Sequence, residues 1–145
     1  MQIPDLEELT GDPEVREQVE RMSAHLSGDR YGVPSLTQLE KSCEGDDTLS
    51  ELLSEVVRYA IRYASSTVKY LSIDWDNTDR DDVAMIDGGK KRAHDAAIDA
   101  INVLARTLKK MGRESGWIGS LTSGGRPAFA RFALIVAFDA MHQEV

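Results

Sequence analysis

The stretch TLSELLSEVVRYAIRYASSTVKYL, residues 48–71, decides the fold. Its apolar residues return every three or four positions, which is the period of one face of an α-helix: Leu49, Leu52, Leu53, Val56, Ala60, Ala64, Val68 and Leu71. The four residues TLSE at its start have the order of a capping box, which satisfies the first free backbone N–H groups of a helix. The pattern predicts a long helix from Thr48 to about Ile73.

Two further helices are predicted before this stretch. Asp12 is a suitable N-cap and Gly28 a suitable terminator, so a first helix is expected between them. The preceding residues 1–11 are expected to form an N-terminal extension that packs on the bundle. The sequence SLTQ at residues 35–38 is another capping box, and it predicts a short helix that turns Leu36, Leu39 and Cys43 inward.

Two more helices are predicted after it. The capping pattern TDRD at residues 78–81 opens a long helix that would end near Met111. The pair Gly88-Gly89 inside it disfavours helix, so a kink or a break is expected there, a kink being preferred. Residues 112–127 are rich in glycine and serine and are expected to connect it to a last helix, residues 127–142.

Taken together, these periods predict an all-α protein, a helical bundle of about four principal helices plus short accessory helices. The length of 145 residues fits a single domain, residues 1–145. No alternating apolar and polar pattern persists long enough to predict a strand.

Composition and charge narrow the class of protein. The formal net charge is −8, which disfavours nucleic acid as a partner because phosphate binding needs a basic surface. No apolar run approaches the ~20 residues of a membrane-spanning helix, so no membrane partner is expected. The single cysteine, Cys43, and an acidic start without the basic and apolar regions of a signal peptide predict a cytoplasmic location.

The acidic stretch LSIDWDNTDRDDVAMIDGG, residues 71–89, holds six aspartates. A calcium loop that began at Asp74 would need glycine at its sixth position and glutamate at its twelfth, where this chain has Asp79 and Met85. The aspartates are therefore interpreted as turn residues and as helix N-terminal residues, and Trp75 is expected to pack on the end of the bundle. No cofactor is predicted, although a loose divalent metal site remains an alternative, with Asp74, Asp76 and His94 as its candidate ligands.

The pair His94-Asp95 resembles the dipeptide that gives the HD-domain phosphohydrolases their name. These are all-helical enzymes in which an earlier histidine, the His-Asp pair and a later aspartate bind divalent metal. The resemblance implies His25, His94, Asp95 and Asp139 as the corresponding residues, in the same order along the chain. It would make the protein a metal-dependent phosphohydrolase, with the metal polarising a phosphoryl oxygen and lowering the pKa of a bound water.

Helical spacing favours a structural interpretation of the same histidine. His94 shares a stripe with Ile98 and Ile101, so its ring is expected to point inward or into a groove. Residues adjacent in a helix do not face each other, so Asp95 and His94 need not interact. A histidine that forms a hydrogen bond between packed helices is therefore preferred over a metal ligand.

The sequence SGGRP, residues 123–127, places Gly124, Gly125 and Arg126 just before a predicted helix. Backbone N–H groups at such a position can hold a phosphate or a carboxylate, which makes these three residues candidates for an anion site. A flexible hinge is the preferred interpretation.

The function predicted from the sequence is that of an interaction or regulatory protein, in preference to an enzyme, and this protein is expected to associate with itself or with another protein. The reason is the last helix, whose apolar residues spread around its circumference: Phe129, Phe132, Leu134, Ile135, Val136 and Phe138. Two alternatives remain open. One is the metal-dependent phosphohydrolase, and the other is an acidic inhibitor-like or antitoxin-like module that binds a basic protein.

Overall fold

The computed structural model describes residues 13–14, 16–17, 32–113 and 116–142, and within them every regular element is a helix. The helices are α1 (Leu36–Cys43), α2 (Asp47–Leu71), α3 (Arg80–Lys110) and α4 (Trp117–His142). The predicted all-α bundle is thereby confirmed. Helix α2 packs along both α3 and α4, and α1 covers one end of the α2–α4 contact.

Helix α1 begins with the predicted capping box. The backbone N–H of Gln38 donates to Ser35 Oγ at 3.2 Å, and the N–H of Ser35 donates to Gln38 Oε1 at 2.8 Å. Leu36, Leu39 and Cys43 are buried, as the sequence predicts. At its other end, Arg113 donates from Nη1 to the carbonyl oxygens of Ser42 and Glu44, so a side chain from beyond α3 satisfies orphan groups of α1.

Helix α2 begins earlier than its apparent capping box. The side chain of Asp46 accepts the N–H of Leu49 at 2.9 Å, which makes Asp46 the N-cap and places Thr48 inside the first turn. Both residue types cap helices, and with aspartate as the cap the helix starts two residues earlier than predicted. The predicted apolar face is buried except for Leu52, which is half-buried, and Leu71, which is exposed.

Helix α3 is continuous from Arg80 to Lys110, with Asp79 rather than Thr78 as its N-cap. Gly88 and Gly89 keep helical geometry, so the pair does not break the helix. Burial along α3 is uneven. None of the residues from Arg80 to Ala96 is buried, whereas seven residues between Ala97 and Leu108 belong to the core.

Helix α4 corrects the prediction for residues 112–127. Instead of a connection, the chain is helical from Trp117, and the buried side chains of Trp117, Ile118 and Leu121 join the core. Gly125, with φ 66° and ψ −157°, then interrupts the helix before Pro127. The helix was not predicted here because the low helix propensity of glycine and serine outweighs the short apolar pattern of this segment.

The second segment of α4 lies inside the bundle. Phe132 and Val136 are among the most buried side chains of the described residues, and the ring of Trp117 packs on that of Phe132 with 5.2 Å between centroids. A helix that is apolar nearly all round is expected at such a central position.

Part of the predicted N-terminal helix is described. Residues 13, 14, 16 and 17 are helical, and Arg16 donates from Nη2 to the carbonyl oxygen of Met141 at 3.1 Å. The predictions for residues 1–11, for the rest of that helix and for His25 lie outside the described residues. Within the described ranges, none of the helices combines the length and the hydropathy that a membrane crossing requires.

Candidate functional site

The His94-Asp95 pair and the SGGRP segment meet where the middle of α3 approaches the start of the second segment of α4. His94 projects from α3 with 20% of its side chain exposed, as the shared stripe with Ile98 and Ile101 predicts. Its ring stands edge-on to that of Tyr63 on α2, with 5.3 Å between centroids. Burial raises the pKa of Tyr63, so this phenol stays neutral beside the imidazole.

Asp95 contacts His94, an interaction that helical spacing alone does not require. His94 Nδ1 lies 3.2 Å from Asp95 Oδ1. The two side chains leave the helix in different directions, but their rotamers turn the ring nitrogen and the carboxylate toward each other. Helical spacing describes Cβ directions only and misses contacts of this kind.

Arg126 completes the cluster. Its Nη2 donates to Asp95 Oδ1 at 2.8 Å and lies 3.2 Å from His94 Nδ1. The hydrogen bond from His94 and then that from Arg126 are the main causes of a lowered pKa of Asp95. The structure thus brings together the candidate His-Asp pair and the candidate anion-binding arginine, which sequence reasoning had treated as unrelated.

Three of the four residues that the HD-domain resemblance implies, His94, Asp95 and Asp139, lie in the described part of the chain. Arg126 donates to Asp95 Oδ1, and Asp139 Oδ2 accepts the N–H of Leu36 at 3.1 Å, which links α4 to α1. Within the described ranges, no three His, Cys, Asp or Glu side chains gather as a metal site would need. His94 and Asp95 take part in a contact between α3 and α4, and metal binding by these residues stays a prediction.

The backbone conformation and packing of this segment explain why residues 124 and 125 are glycines. Gly125 adopts a backbone region that is essentially restricted to glycine. A Cβ on Gly124 would collide with Cβ of Ala128, so the chain can turn here only without a side chain. These observations support the preferred interpretation of SGGRP as a hinge, and anion binding at Arg126 stays a prediction.

The acidic stretch forms the end of the α2–α3 hairpin, and residues 71–87 are called the hairpin tip below. Asp74 Oδ1 accepts the N–H of Asp76 at 3.2 Å, and Asp74 Oδ2 accepts from Asn77 Nδ2 at 2.7 Å. Asp79 Oδ1 accepts the N–H of Asp81 at 3.1 Å. The predicted roles in turns and at the helix N-terminus are confirmed for these aspartates.

The hairpin tip also exposes large hydrophobic side chains. Trp75, which was expected to pack on the end of the bundle, is 62% exposed and touches only the edge of the half-buried Tyr70 ring among the ring contacts. Leu71 is 62% exposed and Met85 is 67% exposed. The other exposed large hydrophobics of the described residues, Val103 and Met111, are less so, at 38% and 42%. Among the described residues, the most exposed large apolar side chains thus belong to the hairpin tip.

A cavity of about 530 Å³ lies beside the hairpin tip, between it and the N-terminal helical residues. Apolar side chains line part of it and charged side chains the rest. The lining residues are Glu14, Glu17, Val68, Lys69, Ser72, Ile73, Asp74, Thr78 and Ile86.

The sequence contained a signal for the uneven burial of α3, in the segment that follows the hairpin tip. The apolar stripe of α3 has a gap, since no Val, Ile, Leu, Met or aromatic residue lies between Ile86 and Ile98. A helix half without a stripe has no face to bury in the protein's own core. That half is the one in which the structure buries nothing.

Comparison with family models, with curated proteins and with solved structures finds no match to this chain.

Proposed function

We propose that this is a protein-interaction module, of the acidic inhibitor-like kind, that docks a partner protein through the hairpin tip. The observation that supports this function is the exposure of Leu71, Trp75 and Met85 on a hairpin half that contributes almost nothing to the core. Exposed apolar side chains within a polar rim mark protein-interaction sites.

The last helix gives less support to the predicted self-association. Phe129, Phe132, Ile135 and Val136 are buried within the chain itself, and only Leu134 and Phe138 are half-buried. The apolar circumference that suggested a subunit contact is therefore largely covered by α1, α2 and α3.

The phosphohydrolase alternative is also less well supported, because Arg126 pairs with the carboxylate that would hold the metal. A cytoplasmic location belongs to the proposal. Cys43 is free and buried, and burial raises the pKa of its thiol to about 11. A protonated, buried thiol suits a reducing compartment, in which no disulfide is needed for stability.

Site-specific photocrosslinking in the native cells tests the proposal. A photoreactive phenylalanine derivative replaces Met85 in one variant and Met111 in the other, because both methionines are exposed, Met85 near the start of α3 and Met111 at its C-cap. We expect a discrete adduct from position 85 and none from position 111. The adduct should disappear when Leu71→Ser is added, and its purified partner should bind the unmodified protein.

Two results would overturn the proposal. One is the absence of an adduct from position 85. The other is the same set of adducts from both positions, which would mean that the hairpin tip has no preference over an ordinary exposed site.

A further inference from the structure

Resting on the proposed function, we infer that the partner segment at the hairpin tip is basic, and that it presents lysine or arginine side chains together with apolar ones. Three observations support this partner class. They are the charge of the hairpin tip, the apolar side chains set among those charges, and the composition of the adjoining cavity.

The hairpin tip concentrates negative charge. Its residues 71–87 include six aspartates and a single arginine, a net charge of −5 in a chain of −8. Five of these aspartates are exposed, and Asp87 is half-buried. The hydrogen bonds of Asp74 and Asp79 to backbone N–H groups hold their carboxylates in place without neutralising them. A potential of this sign attracts a basic surface and speeds its association.

The exposed apolar side chains of the hairpin tip indicate that the partner must also offer groups that pack against them. Trp75 follows Asp74 and precedes Asp76 in the sequence, so the residues on both sides of this exposed side chain are exposed aspartates. An indole ring can stack with the face of a guanidinium or pack along the aliphatic part of a lysine. Leu71 and Met85 offer further apolar contact on the two arms of the hairpin.

The cavity beside the hairpin tip repeats this combination. Val68, Ile73 and Ile86 supply apolar lining, whereas Glu14, Glu17 and Asp74 supply carboxylates, and Lys69 is the one cation among the described lining residues. A side chain with an aliphatic stem and a cationic head matches such a lining. Lysine and arginine have that form.

The negative charge of the hairpin tip argues against a second copy of the chain, nucleic acid or an anionic membrane as its partner. Two copies of this chain that met through their hairpin tips would place −5 against −5, and like charges at an interface are unfavourable. Nucleic acid and anionic membrane surfaces would be repelled for the same reason. A basic protein segment with apolar residues satisfies both the charge and the exposed hydrophobics.

The two tryptophans provide an internal test by ¹⁹F NMR of the full chain labelled with 5-fluorotryptophan. Trp75 lies in the hairpin tip and is exposed, whereas Trp117 is buried in the core. The probe is a short amphipathic helical peptide of lysine and leucine, and its matched control has glutamate in place of every lysine. We expect the basic peptide to shift the Trp75 resonance and leave that of Trp117 unchanged, and the acidic peptide to shift neither.

Matched variants separate local charge from total charge. Asp76→Asn with Asp82→Asn removes two charges from the hairpin tip, and Glu51→Gln with Asp99→Asn removes two exposed charges elsewhere. We expect the first pair to weaken peptide binding by about tenfold and the second pair by less than about twofold. Equal weakening by both pairs would mean that only the net charge matters, and the inference would be wrong.

Other results of the NMR and crosslinking experiments would also contradict the inference. Binding of the acidic peptide, or a shift of Trp117 alone, contradicts a basic partner at the hairpin tip. If photocrosslinking from position 85 identifies a partner while the basic peptide leaves Trp75 unchanged, the interaction function stands and this inference fails. A crosslinked adduct of twice the 16.0 kDa chain mass would identify a second copy, which also contradicts the inference.

Discussion

Arg126 donates from Nη2 to Asp95 Oδ1 at 2.8 Å across 31 residues of chain, and so ties the second segment of α4 to the middle of α3. The contact joins the hinge at Gly125 to the helix that carries His94. It is a polar contact between two helices. The sequence had suggested two separate sites here, a metal site at His94 and Asp95 and an anion site at Arg126.

Loss of this tie should be visible in the titration of Asp95. The hydrogen bonds from His94 and Arg126 lower the pKa of this carboxyl, so Arg126→Gln should raise it toward the ordinary aspartate value. A carboxyl-detected NMR titration measures the change. Because the folded-state pKa is lowered, ionised Asp95 favours the folded state above the ordinary carboxyl pKa, and this contribution disappears as the pH falls through the folded-state pKa.

Arg106→Gln is the matched control for that titration. Arg106 lies on α3, as Asp95 does, and donates to the carbonyl oxygen of Asn102, one turn earlier. Its replacement should leave the pKa of Asp95 unchanged. An unchanged pKa of Asp95 in Arg126→Gln itself would show that the guanidinium does not interact with the carboxylate in solution.

The hinge predicts a clear difference between two glycines of α4. Gly125→Ala should lower the free energy of unfolding by about 1–3 kcal/mol, because the Gly125 conformation is strained for any residue with a Cβ. Gly119→Ala should be neutral or stabilising by up to about 1 kcal/mol, since a Cβ there meets open space within a helix. Urea unfolding of both variants gives the comparison, and equal effects would contradict the hinge.

Gly89 distinguishes a continuous α3 from a kinked one. A Cβ on Gly89 would meet only the flexible end of the Arg92 side chain, at 3.9 Å. Gly89→Ala should therefore raise the free energy of unfolding by about 0.5–1 kcal/mol, as expected for an unstrained helix interior. A loss of stability measured by thermal unfolding would show that the glycine pair serves a bend or a close helix crossing.

Truncation of the two tryptophans should have very different effects on stability. Trp117→Ala removes a buried ring packed on Phe132 and should cost about 3–5 kcal/mol of unfolding free energy. Trp75→Ala removes an exposed ring and should change that free energy by less than about 0.5 kcal/mol. If chemical denaturation shows a large loss for Trp75→Ala, then the ring packs on the protein itself and is not free to dock a partner.

The fold followed from the sequence wherever periodicity and capping agreed. Six of the eight apolar positions of α2 are buried, the capping box at Ser35 is formed, and the acidic residues Asp81 and Asp82 lie in the first turn of α3. The helix over residues 117–124 did not follow, because glycine and serine weigh against helix while tertiary packing of Trp117 and Leu121 overrides that preference. The spacing of those two residues, one turn apart, was the available signal.

The candidate sites were harder to predict than the fold. Contact between His94 and Arg126 depends on how α3 and α4 pack and on the turn at Gly125, and neither is encoded in local spacing. The acidic residues were correctly interpreted as turn and cap residues, yet the exposure of Trp75 could not be foreseen, since an apolar residue in a loop is equally compatible with packing on the bundle.

Residue-resolved hydrogen exchange of α3 tests the central claim most directly, namely that the distal half of the hairpin is left outside the protein's own core. Amides between Val83 and Ala96 should exchange faster than those between Ala97 and Leu108 by at least about tenfold, because only the latter half is buried. Uniformly strong protection along the whole of α3 in the isolated protein would contradict the claim and, with it, the assignment of the hairpin tip as a docking surface.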